Sequence, residues 1–188
     1  MNKAKEIRNK TRKQYMWGST SGWTCLQYRL AKSESYYKYR FLMHLKIYEY
    51  LITQKTTPLT YIRRRYHLNK YTKYARKCDF AINDGVLGEN ILFYHTAKIV
   101  INPAAKVGDG CRFHGPCCIG VAHTGDTKAP ILGKNIDIGF GAVILGDIYI
   151  ADNITIGANA VVTKSFYTPG ITIAGVPARE IKKSETNN

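Results

Sequence analysis

The sequence of 188 residues predicts a mainly β protein, a parallel β-helix preceded by an α-helical segment. Three observations predict it: a six-residue repeat in the second half, a helical spacing of apolar residues in the first, and a sharp change of composition between them. Residues 1–77 carry 19 Lys or Arg against three acids and 11 of the 14 tyrosines, whereas residues 78–188 carry 14 of the 16 glycines and a net charge of −1. The change predicts a basic, tyrosine-rich helical domain over 1–77 and a β-helix domain over 78–188.

The first segment is predicted to contain two helices. Apolar residues from Leu26 to Ile52 recur at spacings of three, four or seven on one helical face, and the best candidate helix is Ser33 to Ile52, which should end before Pro58. A second helix is expected from about Leu59 to Lys77, with the arginines at 63–65 on its surface. This basic segment is either a solvated cap or a surface attracted to an anionic membrane or a phosphorylated, lipid-linked glycan. No DNA- or RNA-binding motif accompanies the charge, so a nucleic acid partner is not expected.

The second half keeps a period of six residues. A helix has no reason to keep this period, and an antiparallel sandwich would have turns every 8–12 residues. A hexapeptide repeat is typical of a parallel β-helix, in which three short strands form each coil and the aliphatic residue points inward. The insertion between residues 119 and 132 is polar and predicts a loop over 121–130. The repeated aliphatic or aromatic residues are Leu87, Phe93, Ile101, Val107, Phe113, Ile119, Leu132, Ile138, Ile144, Ile150, Ile156 and Val162.

Several classes of protein are not expected from the sequence. The sequence contains no window of 18 consecutive apolar residues, so a transmembrane helix is not expected. The basic N-terminus lacks the apolar core of a secretory signal. Five cysteines without a CxxC pair argue against a disulfide framework and against a structural zinc site. We therefore expect a cytoplasmic protein without a bound metal, and the basic segment allows peripheral contact with the inner face of the membrane.

Three strings resemble the hexapeptide acyltransferases, a left-handed β-helix family. They are YHTAKIVINPAAKVGDG at 94–110, NIDIGFGAVILGDIYIADNITIGANAVVTKSF at 135–166 and ITIAGVPAREI at 171–181. The resemblance covers about residues 80–188 and is nearest to serine acetyltransferases and to O-acetyltransferases of bacterial capsule and lipopolysaccharide synthesis. It implies a homotrimer with acetyl-CoA bound between neighbouring β-helices. A histidine would act as general base while the acceptor hydroxyl attacks the thioester directly.

The resemblance assigns a role to three of the five histidines. His95 matches the general base of serine acetyltransferases, and an imidazole suits that task because its ordinary pKa is close to neutrality. His123, in the 121–130 loop, is the alternative base by likeness to galactoside and maltose acetyltransferases. His114 is expected to bind the acceptor or to serve as a further alternative base. His44 and His67 are expected to be surface or packing residues.

The resemblance also assigns the acetyl-CoA contacts. Small residues leave the backbone accessible to the pantetheine arm, and cations bind the phosphates of the nucleotide. Phe140 and Ala158 are expected along the pantetheine arm. The adenine nucleotide and its phosphates are expected to meet Thr163, Lys164, Arg179 and Lys182.

The acceptor is predicted from a departure from the family pattern. Serine acetyltransferases have an aspartate and a second histidine at two positions that here hold Phe80 and Ala129. Those groups help to hold an amino-acid acceptor, so their replacement favours a sugar hydroxyl in surface-polysaccharide synthesis. The alternatives are serine as acceptor and a β-helix without catalytic activity that holds partners through its basic segment.

Overall fold

The structure, a computed structural model, describes residues 3–15 and 22–181. The chain divides into two compact units, Met1–Phe80 and Ala81–Asn188. In the first unit the described residues form four helices: α1 (Lys3–Tyr15), α2 (Gly22–Leu30), α3 (Glu34–Ile52) and α4 (Pro58–Cys78). No helix among the described residues is both long enough and apolar enough to span a bilayer.

The two predicted helices are confirmed as α3 and α4, and local capping explains where they begin. The Ser33 side chain accepts a hydrogen bond from the Tyr36 amide at the start of α3. Thr57 and Thr60 form a reciprocal capping box at the start of α4, and Pro58 occupies the first turn, where a missing N–H costs nothing. α1 and α2 are helices that were not predicted as separate elements, although the apolar spacing already included Leu26 and Leu30 of α2.

α3 is the central helix of the first unit and packs against both α1 and α4. Its side chains Phe41, Leu45 and Ile47 have no exposed surface. Arg64 of α4 fixes the connection between α3 and α4, because its guanidinium donates to the carbonyl oxygens of Leu51 at 2.9 Å and Gln54 at 2.6 Å. It also donates to Thr56 Oγ1 at 2.9 Å. One of the three arginines expected on the surface therefore caps the last turn of α3.

The chain from residue 80 onward folds into short strands. Their bounds are β1 (Phe80–Ala81), β2 (Leu92–Phe93), β3 (Ile99–Ile101), β4 (Lys106–Val107), β5 (Arg112–Phe113), β6 (Cys117–Gly120), β7 (Ile131–Leu132), β8 (Asp137–Ile138), β9 (Val143–Leu145), β10 (Tyr149–Ile150), β11 (Thr155–Ile156), β12 (Val161–Val162), β13 (Thr172–Ala174) and β14 (Arg179–Ile181).

The strands form the three faces of a left-handed parallel β-helix, as the repeat and the resemblance predicted. One face contains β3, β6, β9 and β12 in that order, and a second contains β4, β7 and β10. The third contains β2, β5, β8, β11 and β13, after which β14 adds antiparallel to β13. Each strand pairs with a strand of the next coil, so the backbone donors are used between coils.

The predicted inward residues form the core of the β-helix. All twelve residues of the repeat are at most 5% exposed. The predicted loop at 121–130 separates β6 from β7. A second loop, residues 94–98, separates β2 from β3, where two extra residues interrupt the six-residue period between Phe93 and Ile101. The repeat therefore determines both the fold and the positions at which the fold can vary.

The corners of the coils use two different properties of small residues. Gly139 leaves no room for a Cβ, because such an atom would lie 2.6 Å from the amide nitrogen of Ala158 in the next coil. Asn135, Asn153 and Asn159 adopt a left-handed backbone with φ between 54° and 61°. The glycine is thus required by the close approach of coils, and the asparagines by the turn itself.

Candidate active site

A groove of about 380 Å³ lies along one corner of the β-helix. Its lining includes His114, Asp137, Gly139, Phe140 and Ala158. These residues come from successive coils, because β5, β8 and β11 are neighbours in one sheet. The structure thus brings together three of the predicted site residues: His114, Phe140 and Ala158.

His114 is held by contacts on two sides. Its Nε2 lies 2.5 Å from Asp137 Oδ1, and the other oxygen of Asp137 is 3.1 Å from an Arg112 guanidinium nitrogen. The Tyr94 ring stacks on the imidazole with centroids 4.5 Å apart. In a neutral ring whose proton is on Nε2, facing the carboxylate, Nδ1 keeps its lone pair. His114 can therefore accept a proton while Asp137 fixes its orientation.

Phe140 forms an exposed apolar wall of the groove. Its side chain is 57% exposed, and its ring lies directly over Gly115. Any Cβ at Gly115 would collide with that ring, so glycine is needed there. Ala158 follows in the next coil and is exposed. An exposed aromatic ring beside a small residue suits an extended, thin ligand.

His95 lies at the same corner, nearer the N-terminal end of the β-helix. It is exposed and comes two residues after Phe93 of β2. Phe93, Phe113, Ile138 and Ile156 are successive partners in the sheet register. His95 therefore occupies the corner position that corresponds to Phe140 and Ala158, although it is not part of the groove lining.

His123 lies at a different corner. The 121–130 loop joins β6 to β7, whereas the groove lies between the sheet of β8 and the sheet of β9. The side chain is exposed, and the His123 amide donates to Asp126 Oδ2 at 2.9 Å. Within one chain, His123 is therefore not at the corner that holds His95 and His114.

The predicted phosphate contacts lie beyond the groove lining. Thr163 and Lys164 are exposed and directly follow β12, and the Lys164 ammonium is 5.4 Å from the centre of the Phe166 ring. Arg179 is exposed on β14, opposite Ala174 of β13. Lys182 lies outside the described residues.

The two positions that depart from the family pattern are apolar and buried. Phe80 is 6% exposed and packs edge-on against Phe41, with ring centroids 5.2 Å apart. Ala129 is 5% exposed. Both residues are thus engaged in packing.

The cysteines of the β-helix core have no nucleophilic character. Burial raises the pKa of Cys111 to about 11 and that of Cys117 to about 12. Both side chains are therefore neutral thiols at physiological pH. Over residues 3–15 and 22–181 there is no group of three His, Cys, Asp or Glu side chains arranged to hold a metal ion.

Sequence reasoning missed the groups that hold His114. Asp137 and Arg112 each precede a buried residue of the repeat, so the period predicts that both point outward. Their pairing follows from the register of β5 and β8, in which they are direct partners. If the outward positions of successive coils are aligned in the sequence, Arg112 and Asp137 stand next to each other. The stacking of Tyr94 on His114 follows from the same register, because each of them comes one position after the Phe93–Phe113 pair.

The chain is similar in sequence to several serine acetyltransferases, while no family model matches it. It is 31% identical over 152 residues to the enzyme of Buchnera aphidicola, covering 78% of this chain and 58% of the relative. It is 37% identical over 101 residues to that of Mycobacterium tuberculosis, covering 53% of this chain and 44% of the relative. The chain spans about half the length of these curated relatives. The Buchnera match is longer than the β-helix unit, so it extends into the helical unit. The resemblance found in the sequence covered only about residues 80–188.

Solved structures of serine acetyltransferases have the same fold. The soybean apoenzyme superposes with a TM-score of 0.64 at 26% identity, covering 78% of this chain and 58% of that structure. The enzyme of Brucella abortus superposes with a TM-score of 0.67 at 20% identity, covering 99% of this chain and 72% of that structure. The specific likeness to polysaccharide enzymes expected from the sequence gains no support from these proteins. The chain is related in sequence and in fold to the serine acetyltransferases, which are hexapeptide-repeat acyltransferases.

Proposed function

We propose that the protein is an acetyl-CoA-dependent O-acetyltransferase whose acceptor is the hydroxyl of serine. The observation that carries the proposal is the 31% identity to a serine acetyltransferase over 78% of the chain. The groove supports it, because a histidine oriented by a carboxylate adjoins an open corner with small residues. The sequence alone favoured a sugar hydroxyl, because Phe80 and Ala129 replace an aspartate and a histidine of the family pattern. The proposed acceptor is now serine.

The proposed chemistry needs one base and no acyl-enzyme. His95 takes the proton of the serine hydroxyl as its oxygen attacks the carbonyl carbon of the thioester. The carbon–sulfur bond then breaks, and the imidazolium returns the proton to the departing thiolate of CoA. His114, oriented by Asp137, binds the acceptor or acts as the base in its place. His123 is the further alternative.

The proposed acetyl-CoA site follows the groove. Phe140 and Ala158 flank the pantetheine arm, and Thr163, Lys164, Arg179 and Lys182 meet the nucleotide. Lys164 and Arg179 are exposed cations on later coils, as contacts to phosphate require.

A homotrimer is part of the proposal, because one face of the β-helix is apolar on its outer side. Val100, Cys118, Val143 and Val161 are successive outward residues of the sheet that contains β3, β6, β9 and β12. The outward residues of the groove sheet from β5 onward are instead polar: Arg112, Asp137, Thr155 and Thr172. An apolar outer face is expected to be covered by another subunit. The groove borders this face, so neighbouring β-helices would enclose acetyl-CoA between them.

A sugar hydroxyl is the second candidate acceptor. The specific observation in its favour is that apolar, buried Phe80 and Ala129 stand where serine acetyltransferases have an aspartate and a histidine. A glycan acceptor carried on a lipid would also give the basic helical unit an anionic partner near the inner face of the membrane. A cytoplasmic location suits both acceptors.

The deciding experiment measures thiol release from acetyl-CoA with different acceptors. Serine, simple sugars and a capsule-type oligosaccharide are compared at equal concentration with the full chain. We expect acceptor-dependent release with serine and formation of O-acetylserine. Lys164→Ala should raise the KM for acetyl-CoA about tenfold with little change in kcat, since one charge-assisted contact to phosphate is lost.

Two outcomes would reject the proposal. Release that depends on a sugar and not on serine would assign the enzyme to glycan acetylation. Absence of release with every acceptor, together with normal folding, would favour the β-helix without catalytic activity.

A further inference from the structure

The helical unit contains a second cavity, of about 290 Å³, which the proposed acetyl transfer does not use. We call it the arginine pocket, and its lining includes Arg8, Arg12, Arg40, His44 and His67. α1, α3 and α4 each contribute to it. None of its lining residues is acidic.

The two histidines form a directional hydrogen-bond chain at the base of the pocket. An Arg40 guanidinium nitrogen lies 2.9 Å from His44 Nε2, and His44 Nδ1 lies 2.9 Å from His67 Nδ1. A guanidinium only donates, so His44 Nε2 accepts and its Nδ1 carries the proton. That proton is donated to His67 Nδ1, which leaves the His67 proton on Nε2. The series of hydrogen bonds from Arg40 through His44 thus ends at the Nε2–H donor of His67.

Both histidines are neutral at physiological pH. Burial first, and then the charges of Arg40 and other cations, lower the pKa of His44 to about 2. Burial, followed by the charges of Arg63, Arg8 and Arg40, lowers the pKa of His67 to about 4. The two rings therefore add no positive charge to the pocket, whose cations are its guanidinium groups.

The guanidinium of Arg40 carries a buried donor without a partner. Over residues 3–15 and 22–181, no acceptor forms a hydrogen bond with the buried Arg40 Nε. Its guanidinium lies over the rings of Tyr74 and Tyr36, at 5.2 and 5.8 Å from their centres. Aromatic faces attract the cation but do not accept the buried Nε–H. A buried donor on a charged group without an acceptor is costly and indicates a missing anionic partner.

We propose that the arginine pocket binds a small tetrahedral oxyanion, a phosphate or sulfate group on a soluble ligand. Guanidinium groups bind such oxygens in pairs through parallel N–H donors. The volume is close to the lower limit of about 300 Å³ for small-molecule pockets, so a free ion or a small phosphomonoester fits and a nucleotide does not. The site would give the basic helical unit a specific ligand, independent of the acetyl transfer proposed for the β-helix.

Calorimetric titration of the full chain with inorganic phosphate tests the proposal. Chloride keeps the ionic strength constant, so that general screening does not contribute. We expect saturable binding, with the Kd raised about tenfold by Arg8→Gln and by Arg12→Gln. Arg65→Gln is the matched control, because Arg65 is exposed on α4 and is not part of the lining. Thermal unfolding of each variant checks that its fold is retained.

The controls separate this site from the proposed acetyl-CoA site. Lys164→Ala should leave phosphate binding unchanged, and Arg8→Gln should leave the turnover of acetyl-CoA unchanged. Equal loss of affinity in Arg8→Gln and Arg65→Gln would overturn the proposal in favour of non-specific charge. Absence of saturable phosphate binding would also overturn it, and adsorption to phosphatidic acid vesicles in that case would point to a membrane surface.

Discussion

The two units of the chain solve the burial of polar groups in opposite ways. In the β-helix, the interior positions of the repeat are almost entirely aliphatic or aromatic, and its charged side chains point outward in register, as Arg112 and Asp137 do. In the helical unit, α3 buries Lys38 and His44 within its apolar face. A repeating backbone assigns each residue to the inside or the outside, whereas a helical bundle allows polar residues into its interior wherever partners on other helices reach them.

The largest expected effect is on catalysis at the β-helix corner. His95→Gln should lower kcat by about 10²- to 10⁴-fold, because the proposed general base is lost, while acetyl-CoA binding is retained. His114→Gln is measured beside it, with a pH–rate profile for each variant. If His95→Gln keeps near-normal turnover and His114→Gln loses most of it, the base is His114. If His95→Gln keeps near-normal turnover and His123→Gln loses most of it, the base is His123 in the 121–130 loop.

The second effect compares an inward with an outward position of the same residue type. Ile144→Ala should lower the free energy of unfolding by about 2–5 kcal/mol, because Ile144 has no exposed surface in the core. Ile131→Ala is the matched control, since Ile131 is 48% exposed and its change should cost much less. Denaturant unfolding of both variants gives the comparison. Equal losses would contradict the assignment of inside and outside by the repeat.

The third effect should appear in the helical unit alone. Because the folded pKa values of His44 and His67 lie below the ordinary 6.5, the unfolded chain takes up protons first as pH falls. The stability of this unit is therefore greatest above about pH 6.5 and decreases toward pH 4, by about 2 kcal/mol at pH 5 for the buried His44 and by less for the partly buried His67.

Hydrogen exchange can measure that pH effect in each unit separately. Amide protection in α3 should fall between pH 7 and pH 5 after correction for intrinsic exchange, while protection in β9 serves as the internal reference. The charged groups that oppose protonation of the two rings are Arg8, Arg40, Arg63 and Lys70. A parallel decrease in α3 and β9 would mean that the histidine pair is not its cause.

The smallest effect concerns the connection between α3 and α4. Arg64→Gln should lower the free energy of unfolding by about 1.5 kcal/mol, the lower part of the range for charge-assisted hydrogen bonds, because the side chain is partly exposed. Arg65→Gln, its exposed neighbour, should change the stability by less than about 0.5 kcal/mol. If the two variants unfold at the same denaturant concentration, the hydrogen bonds of Arg64 contribute nothing measurable.

The sequence predicted most of the fold because its strongest pattern is local. The repeat from Leu132 to Val162 determines the strands, and the apolar face of α3 and the Thr57–Pro58 start of α4 determine two helices. α1 escaped prediction because it is rich in charge and has few apolar residues, so that its buried positions are held by Ala4, Thr11 and Tyr15. α1 is buried through its contact with α3, and the sequence of α1 alone gives no information about that contact.

The candidate site could be predicted only in part for the same reason. His114, Phe140 and Ala158 follow from short strings, but the pairing of His114 with Asp137 depends on strand register, because these two residues are 23 positions apart in the chain. The pairing of His44 with His67 likewise joins residues of two helices. An arginine and a histidine four residues apart on the apolar face of α3, Arg40 and His44, were the available sign that a polar cluster lies there.

The 121–130 loop gives the β-helix room to change. It lengthens one coil, yet β6 and β7 on either side keep their partners in the sheets. A loop whose ends are fixed by neighbouring coils can gain or lose residues at a small cost in chain entropy, because that cost grows only with the logarithm of loop length. The scaffold of coils therefore tolerates insertions and deletions at this corner, because the strand pairing on either side of the loop does not depend on its length.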